Sequence, residues 1–107
     1  MKKQDVLVLN EVYEFPSIQG KTVLVSGNFN ILHPGHVRLL RFAKECGDLL
    51  IVAVNSDERL NNPDYIEQAH RLEVISSLEY VDHAFINSQP VDALIKQLKP
   101  LAVVKGK

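Results

Sequence analysis

Residues 23–36 read VLVSGNFNILHPGH. Val23-Leu24-Val25 is a branched apolar run, Ser26-Gly27-Asn28 follows it, and Pro34 opens an amphipathic stretch, which together predict a strand, a loop and a helix start. A strand that enters a helix through such a loop makes an anion site. The first helical turn carries unpaired N–H groups and the positive end of the macrodipole, so a phosphate is favoured there before any side chain contributes. His33 and His36, three residues apart, lie on one side of that turn. Gly35 between them leaves room for a ligand to approach the backbone. Zinc is the other chemistry of two histidines at this spacing. No third or fourth ligand lies nearby, however, since the single cysteine, Cys46, stands a helix length away.

Outward from this stretch the helix continues, with Val37, Leu39-Leu40 and Phe42-Ala43 at helical spacing and Gly47 ending it. Leu49 to Val54 is a continuous apolar run, as in a central parallel strand covered on both faces. Asn55-Ser56-Asp57 follows at its carboxyl end, where open α/β sheets bind ligands. Asn61 to Asp64 is a loop by composition. Glu67 to Tyr80 predicts a second helix with Ala69, Leu72, Ile75 and Leu78 on its apolar stripe. His83 to Ile86 predicts a third strand, Val91 to Lys99 a third helix and Leu101 to Val104 a fourth strand leading into Lys105-Gly106. His83 has no partner in the pattern. Residues 1–20 form an N-terminal extension in which Val6 to Leu9 suits a short strand, and residues 21–107 form the main domain. Alternating strands and helices require parallel pairing with right-handed crossovers, hence a three-layer Rossmann-like α/β sheet with helices on both faces.

Composition narrows the class. A chain of 107 residues, 46% hydrophobic and 23% charged, supports one compact domain. The net charge of −1 leaves no basic footprint for nucleic acid. No apolar run approaches the roughly 20 residues of a membrane span, and one cysteine makes no internal disulfide, so the cytoplasm is the default compartment.

GNFNILHPGH followed by LLRFAKECGDLLIVAVNSD resembles the cytidylyltransferase-like nucleotidyltransferases, whose signature is a glycine, an aromatic-aspartate pair and a His-x-Gly-His box. Within that family the similarity is greatest to the adenylyltransferase domain of ADP-heptose synthase and next to glycerol-3-phosphate cytidylyltransferase, from about Thr22 to Gly106. The resemblance implies the parallel-sheet fold of the HUP type. It also implies nucleotidyl transfer from ATP or CTP to a phosphorylated sugar or polyol, with release of pyrophosphate and with Mg²⁺ accompanying the triphosphate. His33, His36 and Arg71 would be catalytic, the two histidines at the α-phosphate and the bridging oxygen and Arg71 on the β,γ side. Ser26, Gly27, Asn28, Phe29, Asn30, Gly35 and Lys105 would bind nucleotide, and Asp57 and Arg59 would bind the acceptor. For Arg71 the alternative is a surface helix residue in an ion pair, worth under about 1 kcal/mol. A homodimer using Tyr13, Phe15 or the last helix is expected from relatives of this size. Three departures stand out. Asn30 replaces the family's aspartate, the segment from Asp57 to Arg71 has Arg59 but no lysine, and residues 1–107 do not reach a Ser/Thr-rich helix start. The competing function is a nucleotide-binding or partner-binding module without catalysis.

Overall fold

The computed structural model of the chain describes residues 7–9, 21–30, 32–60 and 65–105. In chain order its elements are β1 (Leu7–Leu9), β2 (Thr22–Gly27), α1 (Pro34–Glu45), β3 (Leu49–Asn55), α2 (Asp57–Leu60), α3 (Gln68–Ser76), β4 (His83–Asn87), α4 (Val91–Leu98) and β5 (Ala102–Lys105). The five strands form one parallel sheet in the order β1-β4-β3-β2-β5. The expected strand near the N-terminus is thus an edge strand, with Leu7 aligned to His83. Tyr13 and Phe15 lie outside the described residues.

The chain steps from β2 to β3 to β4 in one direction and then returns past β2 to β5. Right-handed crossovers in opposite directions put helices on opposite faces. Accordingly Val23, Val25, Val52 and Val54 pack against Leu40 and Ala43 of α1 and Leu72 and Ile75 of α3. Leu24, Ile51, Ala53 and Phe85 meet Leu94 of α4 on the other face. Residues Leu50 to Val54 are fully buried, as a strand covered on both faces and flanked on both edges must be. The connections diverge between β2 and β5, and a ligand crevice belongs beyond the carboxyl ends of those strands.

Two helical expectations change. Phe42 is 58% exposed, because the face directed at the sheet runs through Leu40 and Ala43 and a residue two positions from Leu40 points away. The second helix ends at Ser76 instead of Tyr80. The Ser77 hydroxyl donates to the Val74 carbonyl (2.7 Å), competing with the helical ladder, and the following turn returns Leu78, Tyr80 and Val81 to the core. Its inward stripe is Arg71, Leu72 and Ile75, while Ala69 is exposed. Gly47 does follow the C-cap of α1, for reasons of space: a Cβ there would lie 2.8 Å from the Lys21 carbonyl oxygen. At the same end of the sheet Lys44 pairs with Asp82 (2.6 Å), whose carboxylate also accepts the Leu50 N–H.

His83 opens β4 at the end of the sheet away from the crevice, and its Nδ1 is buried without a hydrogen-bond partner among the described residues. Burial pushes its pKa below the ordinary 6.5, and the neighbouring Asp82 charge only partly opposes this. The folded protein then binds this proton less readily than the unfolded chain. The associated stability is complete above about pH 6.5 and is lost as the pH falls through the lower folded-state value. Melting temperatures recorded between pH 7.5 and 5 should fall more steeply for the wild type than for His83→Phe. Parallel curves would refute the assignment.

Candidate active site

At the end of β2 the backbone leaves Gly27 and turns through Phe29, which has φ of 51° although it is not glycine. A left-handed conformation costs an aromatic residue about 1–2 kcal/mol, and such strain persists where the surroundings overdetermine it. Here the Phe29 side chain is 2% exposed in the core, and the turn sends its two neighbours to different anchors. Asn28 Oδ1 accepts from Asn55 Nδ2 at the tip of β3 (2.7 Å), so the two strand ends meet as expected. Asn30 Oδ1 accepts the Ile66 N–H just before α3 (2.6 Å). Asn30 therefore acts as a loop-fixing acceptor, a role that needs no carboxylate charge.

His33 is the N-cap of α1, with extended backbone, and Pro34 occupies the first helical position. The Gly35 N–H donates to His33 Nδ1 (3.1 Å) and the His33 N–H donates to His36 Nδ1 (3.3 Å), a reciprocal capping box made by two imidazoles. The ring centroids are 4.0 Å apart, and Phe29 meets His36 edge-on at 5.8 Å. Because both Nδ1 atoms accept, a neutral ring at either position carries its proton on Nε2. The room left by Gly35 is filled by its neighbour, since a Cβ there would stand 2.8 Å from His33 Cε1. Gly35→Ala should displace that ring and weaken the cap, costing about 1 kcal/mol in melting experiments. A structure of the variant with His33 unmoved would contradict this.

Arg71 is 1% exposed and is not a surface residue. Its Nε donates to the Ile66 carbonyl, Nη1 to the carbonyls of Asn28 and Asn55, and Nη2 to Asp57 Oδ1, each at 2.7 Å. It thereby ties the loop after β2, the tip of β3, the segment before α3 and the start of α2 together. Asp57 has both oxygens engaged, since Oδ2 accepts the Gln68 N–H (3.2 Å), while Gln68 Oε1 accepts the Asp57 N–H (2.9 Å). Burial works to raise the Asp57 pKa, but the Arg71 hydrogen bond, the Gln68 amide and the Arg71 charge hold the carboxyl below its ordinary value. Gln68 is the site residue that sequence reasoning missed, for it meets Asp57 only across eleven positions of intervening chain. Arg59 is exposed on α2, whose start is capped by the buried Ser56 hydroxyl. Ser26 is buried in β2, with Lys105 as its backbone neighbour on β5. Among the described residues no cluster of three or more His, Cys, Asp or Glu side chains is arranged to hold a metal ion.

Beside the histidine pair a cleft of about 340 Å³ opens between the loop after β2 and α3, lined by Phe29, Asn30, Leu32, Ile66, His70, Arg71 and Val74. Its lining includes Phe29, Asn30 and Arg71 of the residues expected from the sequence to serve the nucleotide, while His33 and His36 lie outside it.

Residues 24–107 match the model of the cytidylyltransferase-like family. Among curated proteins, the bifunctional protein HldE of Nitratiruptor is 45% identical over 92 residues, covering 80% of this chain and 20% of that protein. Its counterpart in Hydrogenovibrio crunogenus is 41% identical over 92 residues, with 80% and 19% covered. That of Syntrophotalea carbinolica is 37% identical over 106 residues, with 92% and 21% covered. The chain thus spans about a fifth of the length of these relatives. Among solved structures, the lipopolysaccharide core biosynthesis protein of Thermoplasma volcanium superposes with a TM-score of 0.71 at 29% identity, covering 79% of this chain and 73% of the other. With the match extending from β2 through β5 and including the capped histidine pair, the chain belongs to the cytidylyltransferase-like family.

Proposed function

We propose that the chain is a nucleotidyltransferase that moves a nucleotidyl group from ATP or CTP to a phosphorylated sugar or polyol and releases pyrophosphate. The observation that carries this is the pair of imidazoles held 4.0 Å apart by reciprocal caps at the positive end of α1. In-line attack of the acceptor's phosphate oxygen on the α-phosphorus asks the protein mainly for positioning and charge stabilisation. His33 and His36 donate from Nε2 to the α-phosphate and the bridging oxygen as charge grows there. The backbone of Ser26, Gly27 and Asn28 would form the floor of the anion site, and Lys105 is the backbone neighbour of Ser26 on β5. Four of Arg71's five donors are committed to protein acceptors, so its contribution on the β,γ side is its charge and the one remaining Nη2 hydrogen. Arg59 faces solvent from α2, where an acceptor phosphate can meet it. Magnesium arrives with the triphosphate as part of the substrate, since both oxygens of Asp57 already accept hydrogen bonds from protein. The name of the Thermoplasma volcanium relative, a lipopolysaccharide core biosynthesis protein, supports a sugar derivative as acceptor.

The test is pyrophosphate release from ATP and from CTP with a panel of sugar and polyol phosphates, alongside thermal shifts with each triphosphate with and without magnesium. A triphosphate at 100 times its dissociation constant adds about 2.7 kcal/mol of stability. Binding without release under every condition would favour the module that binds nucleotide and does not catalyse. Neither binding nor release would reject both.

A further inference from the structure

Asp57 stands at the rim of the site with half of its side chain in solvent, the position of a residue that touches substrate, yet each of its oxygens is directed inward to protein. Oδ1 holds an arginine that is itself fully buried and that reaches the carbonyls of Asn28 and Asn55. Oδ2 and the backbone N–H of Asp57 exchange hydrogen bonds with Gln68, joining the first turn of α2 to that of α3. An arginine fork loses its aim when one of its anchors is removed, because its planar donors are set as a unit. We infer that Asp57 is a positioning residue, which through Arg71 sets the loop leading from Asn28 to His33 and so the direction in which the two imidazoles donate. This deepens the nucleotidyltransferase reading and rests on it for its kinetic arm alone.

The experiment compares wild type, Asp57→Asn and Asp57→Glu in steady-state kinetics and in amide hydrogen exchange. An amide in place of the carboxylate turns one of two acceptors into a donor, against either the Arg71 fork or the Gln68 N–H. Asp57→Asn should lower kcat about tenfold with KM for triphosphate and acceptor unchanged, since a misaimed group costs rate before it costs binding. The glutamate variant should regain part of the rate. The amides of Ile66, His33 and Gly35 should exchange about tenfold faster in Asp57→Asn, while that of Lys99 beyond α4 stays as in wild type. A raised KM for acceptor with kcat intact would overturn the inference in favour of direct substrate contact. Unchanged exchange at Ile66, His33 and Gly35 would overturn it even in a protein without turnover, whereas absent turnover in the wild type with faster exchange in the variant would reject only the enzymatic reading.

Discussion

His36→Ala is expected to lower kcat by about 10² to 10³, the usual cost of removing one preorganised donor from a site of developing charge. His36 is the third residue of α1 and its Nδ1 accepts the His33 N–H, so a neutral ring there carries its proton on Nε2. The substitution also removes the edge contact with Phe29 and one arm of the capping box, so a stability loss of about 1 kcal/mol should accompany the rate loss. His36→Gln separates the two effects. Glutamine at this position can accept the N-cap amide and restore the box, but it lacks an imidazole donor in the same place. Single-turnover rates and urea midpoints for both variants make the comparison. A glutamine variant as fast as wild type would remove His36 from the chemistry.

The largest effect on stability is expected from Arg71→Ala, at about 3–5 kcal/mol, the range seen when one partner of a buried charged network is deleted. Three backbone carbonyls, those of Asn28, Asn55 and Ile66, lose a charged donor at once, and Asp57 loses its partner. Asp57 is half exposed and can return to water, so most of the cost falls on the carbonyls. Against a total of about 5–15 kcal/mol for a domain, this is a fifth of the stability or more. Arg71→Lys keeps the charge, but a single ammonium cannot span four acceptors, and an intermediate loss is expected. Urea unfolding followed by circular dichroism measures both. A change below about 1 kcal/mol in Arg71→Ala would show that the hydrogen bonds contribute little.

Much of the architecture was legible because its signals are local. The apolar run from Leu49 to Val54 reads as a strand covered on both faces, and His33-Pro34 marks a helix start within two residues. Arg71 was misleading for a related reason. A stripe drawn through Ala69, Leu72 and Ile75 leaves the arginine outside, whereas the observed stripe is turned so that Arg71 lies inward beside Leu72. Only partners distant in the chain show that its charge is satisfied, namely Asn28 at 43 positions and Asp57 at 14. The same distance hides the contact of Asn30 with Ile66, so from sequence Asn30 could be read only as a lost aspartate. The short strand Leu7–Leu9 was suggested by its residues, but its place at the edge is a matter of topology.

That edge strand bears on how the chain is made. Leu7 pairs with His83, 76 residues later in synthesis, whereas β2, α1 and β3 close a unit within 34 residues, from Thr22 to Asn55. At about 5–20 residues per second, a nascent chain carries its Leu-Val-Leu segment for roughly 4–15 s before β4 exists to receive it. The β2-α1-β3 unit can assemble during that delay, so β1 is a late addition to a sheet already begun. Until then its backbone N–H and C=O groups have no strand to pair with, the condition in which an edge is open to mispairing.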